Sequence, residues 1–140
     1  MEDLKEKILI VDDSAMVRSL FNFKLSKVGY QCEEANSAED ALLKLRRNPV
    51  DLVLLDINMP GKSGLNLLPK IKASYPYTSV VMVTATYQRS VVIQCLKMGV
   101  DGYVVKLFRN QDGITTSVQK ALERRKRRLR VEEWLNHNQS

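Results

Sequence analysis

Apolar residues occur in short blocks along the chain. Three runs, ILIV at 8–11, LVLL at 52–55 and VVMV at 80–83, contain no polar residue. Runs of this length and composition are typical of strands that are buried on both faces. The pattern also predicts a more polar strand around residues 31–35 and a fifth strand, GYVVK, at 102–106.

Helices are predicted between these strands. Ser37 is a good N-cap for the second helix, with Asp40 three residues on as an approximate capping box, and Pro49 closes that helix. The first helix ends at Gly29 and carries five apolar residues at near-helical spacing: Met16, Val17, Leu20, Phe23 and Leu25.

The third and fourth helices are shorter. In LNLLPKIKAS, Pro69 is compatible with a helix only within the first two turns. The fourth helix, QRSVVIQCLKMG, is predicted to place four residues on one face: Val92, Cys95, Leu96 and Gly99. The chain after Asn110 is predicted to form a fifth helix.

Strands that alternate with helices in this way predict an α/β fold. The connections are expected to be right-handed crossovers, so the sheet is parallel and its apolar strands need helices on both faces. In such a doubly wound sheet, ligands bind outside the carboxyl ends of the strands, where the strand order reverses. The sequence therefore predicts a site at that edge.

The composition is that of one ordinary globular domain with a modest extension. The chain has 140 residues, of which 44% are hydrophobic and 27% are charged. No apolar run approaches the length of about 20 residues that a membrane span needs, and the polar start, MEDLKEK, is unlike a secretory signal. Cys32 and Cys95 lie in apolar patterns and are expected to be reduced core residues of a cytoplasmic protein.

Polar residues with a potential chemical role follow the predicted strands directly. Asp12 and Asp13 come after the first apolar run and Asp56 after the second, while Thr84 and Lys106 end later strands. Because the carboxyl ends of parallel strands meet at one edge of a sheet, these residues are expected to converge. Asp12 or Asp13 alone would be a helix N-cap, but the two together with Asp56 favour a metal site.

The convergence suits phosphoryl chemistry. Neighbouring carboxylates repel one another unless a positive charge lies between them, and Mg²⁺ binds through one or two carboxylates, waters and a phosphate oxygen. The Lys106 ammonium can meet a phosphoryl oxygen, and the Thr84 hydroxyl can donate to another. A carboxylate, a metal and a lysine are the components of in-line phosphoryl transfer, in which positioning and charge neutralisation supply most of the catalysis.

Four segments together resemble the receiver domain of two-component response regulators. They are ILIVDDS, DLVLLDINMPGKSG, VVMVTA and GYVVKLF, and they occur in the family's order and spacing over about residues 5–122. The resemblance implies a flavodoxin-like fold, that is, a five-stranded parallel sheet of order 2-1-3-4-5 with helices on both faces. It also implies that residues 1–122 form the domain.

The resemblance implies a phosphoacceptor rather than an enzyme with a separate substrate. Asp56 would accept a phosphoryl group from a phosphohistidine on a histidine kinase or phosphotransfer protein. Mg²⁺ would be held by Asp12, Asp13, Asp56 and the backbone carbonyl of Asn58. Only self-directed phosphoryl transfer and slow autodephosphorylation are then expected.

The remaining implied roles belong to a switch. Thr84 and Tyr103 would be the switch pair, with the hydroxyl moving toward the phosphoryl group as the ring turns inward, and Lys106 would bridge to a phosphoryl oxygen. The family usually has proline after this lysine, in a cis peptide, whereas Leu107 stands here. A cis bond before a non-proline residue costs about 2.5–4 kcal/mol, so the Lys106–Leu107 bond is expected to be trans.

Two other functions compete with the phosphorylated receiver. The first is a pseudo-receiver, an interaction module of the same fold that works without phosphate. The second is a free-standing phosphatase with an aspartyl-phosphate intermediate. That class needs a substrate cap or a second acid near the nucleophile, and residue 58 is Asn.

The end of the chain is strongly basic. Residues 121–140 hold six basic and three acidic side chains, which accounts for +3 of the formal net charge of +6. The stretch ALERRKRRLRVEEWL contains no Gly or Pro, so the last helix is expected to continue past Leu122 without a break. Residues 123–140 are predicted to be a basic helical extension, either a linker or an oligomerisation tail.

An isolated extension of this kind is marginally stable in water. Val131, Trp134 and Leu135, spaced i, i+3, i+4, are therefore expected to pack against a second copy, as in a homodimer, or against a missing output domain. Nucleic-acid binding ranks lower, because the basic stretch has no aromatic interleaving or recognition fold around it.

Overall fold

Strands and helices alternate along the chain in the computed structural model, which describes residues 5–61, 63–85, 87–106 and 112–138. The strands are β1 (Lys7–Val11), β2 (Gln31–Ala35), β3 (Leu52–Asp56), β4 (Ser79–Thr84) and β5 (Gly102–Val105). The helices are α1 (Ala15–Val28), α2 (Ala38–Arg47), α3 (Gly64–Ser74), α4 (Arg89–Lys97) and α5 (Asp112–His137).

All neighbouring strands pair in parallel, and their order is β2-β1-β3-β4-β5. The predicted doubly wound α/β sheet is therefore confirmed. The chain moves outward from β1 to β2 on one side and then returns to β3 on the other. The strand order thus reverses between β1 and β3, which places the crevice for a ligand at the carboxyl ends of these two strands.

The apolar strands are covered on both faces, as predicted. Alternate residues of β1 point to opposite sides, since Leu9 and Val11 belong to one core cluster and Ile8 and Ile10 to the other. The first cluster includes residues of α2, α3 and α4, and the second includes residues of α1 and α5. Every residue of β3 and β4 is buried.

The predicted core face of α1 is wrong at two positions. Phe21 and Leu25 are its buried residues, whereas the Met16 and Phe23 side chains are 74% and 67% exposed. Phe21 lies one turn before Leu25, so the two share a face, and Phe23 is turned away from both. In α4 the same kind of error occurs, because Cys95 is buried but Leu96 is exposed.

The helix signals read from single residues are confirmed. The Ser37 hydroxyl accepts a hydrogen bond from the Asp40 N–H at 3.1 Å and caps α2. Pro69 is the sixth residue of α3, and its missing N–H therefore falls in the second turn.

The last helix runs unbroken to His137, as expected. Its basic side chains are not all solvated, because several contact the amino ends of the strands. Arg125 pairs with Asp51 at 3.2 Å and donates to the Tyr77 carbonyl at 2.6 Å, and Lys126 lies 3.3 Å from Glu6. The first turns of the extension are thus held at the amino edge of the sheet, away from the carboxyl ends of the strands.

Across the described residues, no helix is long and apolar enough to cross a membrane.

Candidate functional site

Three carboxylates converge at the carboxyl edge of the sheet. Asp12, Asp13 and Asp56 each place a carboxylate oxygen within 4.8 Å of the others. The register explains this, since Val11 of β1 lies opposite Leu55 of β3, so the residues after these two reach the same edge. The predicted convergence of the acidic residues is confirmed.

Lys106 supplies the positive charge between two of these carboxylates. Its Nζ lies 2.7 Å from Asp12 Oδ2 and 3.4 Å from Asp56 Oδ2. The lysine is placed by the sheet, because its N–H donates to the Thr84 carbonyl at 2.6 Å, directly after β5. The ammonium group thus offsets the repulsion between Asp12 and Asp56.

Asp12 is fixed from several sides, while Asp13 is exposed. The Asp12 side chain is buried, and its Oδ1 accepts the Ser14 N–H at 2.9 Å. Ser14 is the N-cap of α1 and accepts from the Val17 N–H at 3.3 Å. The alternative in which Asp12 or Asp13 caps this helix is therefore wrong, which leaves both carboxylates for the site.

Asp56 is a buried carboxyl group with a raised pKa. Its side chain is 3% exposed, and its Oδ1 accepts the Asn58 N–H at 3.1 Å. Burial and the nearby Asp12 carboxylate raise the pKa of Asp56 from 3.8 to about 6, against the opposing effects of Lys106 and the Asn58 N–H. The raised pKa means that the charged form of Asp56 is disfavoured, so any event that neutralises this carboxylate is favourable.

Thr84 and Tyr103 lie on the neighbouring strands β4 and β5. Thr84 is buried at the end of β4, and its hydroxyl accepts a hydrogen bond from the Asn58 side-chain amide at 3.3 Å. The Tyr103 ring packs against the first core cluster, and its hydroxyl oxygen is buried. Burial raises the pKa of the Tyr103 phenol, and the neighbouring Thr84 side chain partly offsets that effect.

Two residues that were not predicted from the sequence, Gly64 and Arg18, also shape the site. A Cβ on Gly64 would lie 2.2 Å from the Asp56 carbonyl oxygen, so the loop after β3 can turn this closely only around glycine. Arg18 donates from Nη1 to the Asp12 carbonyl at 2.7 Å. Gly64, the first residue of α3, was a usable signal in the sequence, whereas nothing local to Arg18 predicts its contact. The expected trans bond between Lys106 and Leu107 lies outside the described residues.

Comparison with known proteins gives consistent matches. The family model of the response regulator receiver domain matches residues 8–119. Chemotaxis protein CheY-3 of Vibrio cholerae is 38% identical over 105 residues, which cover 73% of this chain and 81% of that protein. The probable transcriptional regulator ycf27 of Pyropia yezoensis is 35% identical over 131 residues, which cover 84% of this chain but 54% of the relative. This chain therefore spans about half the length of ycf27.

A solved structure extends the likeness to three dimensions. The response regulator protein TrrA of Thermotoga maritima, in complex with Mg²⁺ and BeF, superposes with a TM-score of 0.74 at 33% sequence identity. The match covers 83% of this chain and 98% of TrrA. The sheet order, the acidic edge and the family match over most of the length agree, and the chain belongs to the response regulator receiver domain family of two-component signalling.

Proposed function

We propose that this receiver domain accepts a phosphoryl group on Asp56 with the help of Mg²⁺. The observation that carries the proposal is the placement of the Lys106 ammonium within 3.4 Å of Asp56 in a cluster of three carboxylates. No other group of three His, Cys, Asp or Glu side chains in the part of the chain that the structure describes could hold a metal ion in this way.

The donor set fits Mg²⁺. The carboxylates of Asp12, Asp13 and Asp56 are hard oxygen donors, and the Asn58 backbone carbonyl would complete the protein's share. The structure of TrrA was determined with Mg²⁺ and BeF, which supports the same chemistry here by analogy. When bound, the ion would neutralise the negative charge that the acidic residues and a phosphoryl group bring together.

The chain's own residues account for the rest of the transfer. An Asp56 carboxylate oxygen attacks the phosphorus of a phosphohistidine on a histidine kinase or phosphotransfer protein. The new O–P bond forms as the P–N bond breaks, and the imidazole leaves with the electron pair and takes up a proton. Lys106 exchanges its contact with the Asp56 carboxylate for one with a phosphoryl oxygen, and no catalysis on a separate substrate is needed.

A switch would carry the signal to a partner. The Thr84 hydroxyl accepts a hydrogen bond from the Asn58 side-chain amide at 3.3 Å, and in the proposed switch it would move toward a phosphoryl group on Asp56. The Tyr103 ring already packs against the first core cluster in this structure, so its proposed part in the switch would be to be held in that inward position once Thr84 has moved. The surface that responds would include α4, where Ile93 is exposed and free to contact a partner.

Mass spectrometry after incubation with Mg²⁺ and acetyl phosphate tests the phosphoacceptor role. The full chain is expected to gain one phosphoryl group, and chelation of Mg²⁺ should prevent the gain. If no adduct forms on the wild type under conditions that trap short-lived species, the chain would instead act as a pseudo-receiver.

Residues 123–140 are proposed to serve as an oligomerisation tail of the domain formed by residues 1–122, in the cytoplasm. Val131, Trp134 and Leu135 are 56%, 63% and 43% exposed on the ordered helix, which leaves this apolar patch to a second copy. A missing output domain is the competing occupant.

Sedimentation measurements on the full chain can decide between these occupants. The chain is expected to dimerise at high concentration, and Trp134→Ser should shift the equilibrium to the monomer because it removes the largest apolar contact. His137→Ser, in the next turn of the same helix, is the matched control and should leave dimerisation unchanged. A strictly monomeric wild type would contradict the pairing and favour the missing domain.

A further inference from the structure

Arg18 lies beside the acidic residues but contacts none of their carboxylates. From α1, its Nη1 donates to the Asp12 main-chain carbonyl at 2.7 Å, and its Nε lies 3.2 Å from Glu34 Oε1. The second oxygen of Glu34 accepts from the Asn22 amide at 2.9 Å. The guanidinium group is therefore held between β1 and β2 in a fixed orientation.

This contact acts on the peptide that joins the two neighbouring aspartates. The Asp12 carbonyl belongs to the Asp12–Asp13 peptide, so its direction sets how both side chains leave the backbone. Asp13 is exposed, and among the described residues no hydrogen bond or ion pair restrains its carboxylate. The backbone is thus the main restraint on where Asp13 points.

The two cationic side chains of the site, Lys106 and Arg18, consequently contact different groups. Lys106 binds carboxylate oxygens of Asp12 and Asp56, which a metal ion would also use. Arg18 binds a carbonyl and leaves those oxygens free. An Arg18 guanidinium can therefore keep its contact when a cation binds, whereas Lys106 would share the Asp12 and Asp56 carboxylates with that cation.

We propose that Arg18 is a positioning residue that orients Asp12 and Asp13 for a divalent cation, with Glu34 and Asn22 holding its guanidinium group. The inference rests on the proposed phosphoacceptor function, which it deepens by naming a residue that sets the Mg²⁺ affinity. Groups that orient metal ligands in this way typically contribute about 10–100-fold to metal affinity.

Calorimetric titration of the full chain with Mg²⁺ provides the test. Arg18→Met should raise the Mg²⁺ dissociation constant about 10-fold. Arg18→Lys should weaken binding nearly as much, because an ammonium group lacks the planar fork that reaches both the Asp12 carbonyl and Glu34. Phosphorylation by acetyl phosphate should slow at low Mg²⁺ and recover when Mg²⁺ is saturating, since the acceptor itself is unchanged.

Lys72→Met is the matched control for a merely structural effect. Lys72 is also partly buried and pairs with Asp101 at 2.7 Å, but at the opposite edge of the sheet. Its loss should lower the melting temperature without changing the Mg²⁺ dissociation constant. If Arg18→Met does not fold, Arg18→Lys decides the question.

The outcomes separate this inference from the proposed function. A folded Arg18→Lys protein that binds Mg²⁺ as tightly as the wild type would overturn the positioning role alone. A wild type that binds Mg²⁺ but forms no phosphoryl adduct would overturn the proposed function. The Mg²⁺ dissociation constants of the wild type and the Arg18 variants would still test the positioning role. A wild type that binds no Mg²⁺ would overturn both.

Discussion

Asp56→Asn should abolish phosphorylation by acetyl phosphate and also make the metal-free protein more stable at neutral pH. The loss is complete because an amide oxygen is a poor nucleophile and the acceptor carboxylate is gone. The gain in stability follows from the raised pKa of Asp56, which marks a buried carboxylate that the metal-free fold disfavours.

The sign of the pH dependence follows from the same pKa. The folded-state pKa of Asp56, about 6, lies above the ordinary value of 3.8. The stability that its protonation contributes is therefore fully present below pH 3.8 and is lost as the pH rises through about 6. The variant has no such loss, so its advantage over the metal-free wild type should grow to about 1–3 kcal/mol by pH 8.

Urea unfolding at pH 5 and pH 8 with a chelator measures this difference. Asp51→Asn is the matched control, because Asp51 pairs with Arg125 at the other edge of the sheet. The control should lose a little stability and should still be phosphorylated. If Asp56→Asn is less stable than the wild type at pH 8 without metal, the carboxylate repulsion is not the dominant effect.

The strands and the convergence of the acidic residues could be predicted from the sequence because both depend on short-range patterns. Runs such as LVLL report burial on both faces by themselves, and the carboxyl end of each run fixes where the next residue emerges. Parallel pairing then brings Asp12 and Asp56 together without any knowledge of side-chain contacts.

Contacts between distant segments could not be predicted in the same way. The Arg18–Asp12 contact depends on the angle at which α1 leaves the sheet. Arg125 contacts Asp51 only because α5 runs along the amino edge of the sheet. The buried face of α1 was mispredicted because its apolar residues surround the helix. Choosing Phe21 over Phe23 requires the position of the sheet.

The contacts of Lys106 in the structure differ from the contact that was predicted for its function. The sequence predicted that it would contact a phosphoryl group, which stays a prediction, and the structure shows it paired with Asp12 and Asp56. The same ammonium group can serve both purposes, because each arrangement places it against excess negative charge. Its metal-free contacts make it a stabilising residue as well as a candidate for catalysis.

Lys106→Met should therefore destabilise the metal-free protein and slow phosphorylation strongly. Removing one partner of a buried ion pair leaves an uncompensated charge, which typically costs about 3–5 kcal/mol. Here the cost is limited by protonation, because loss of the lysine removes an effect that lowers the pKa of Asp56. Once its pKa is higher, Asp56 is neutral over a wider pH range.

The cost of Lys106→Met should consequently be small at pH 5 and about 2–3 kcal/mol at pH 8, where Asp56 must ionise in the fold. Urea unfolding at the two pH values measures it. The double variant Lys106→Met with Asp56→Asn should recover most of the loss, since one of the two crowded carboxylates is then gone. Millimolar Mg²⁺ should recover it in the single variant, because the ion binds only the folded state and replaces the missing positive charge. A loss of equal size at both pH values, unaffected by Mg²⁺, would mean that the side chain of Lys106 matters for packing rather than for charge.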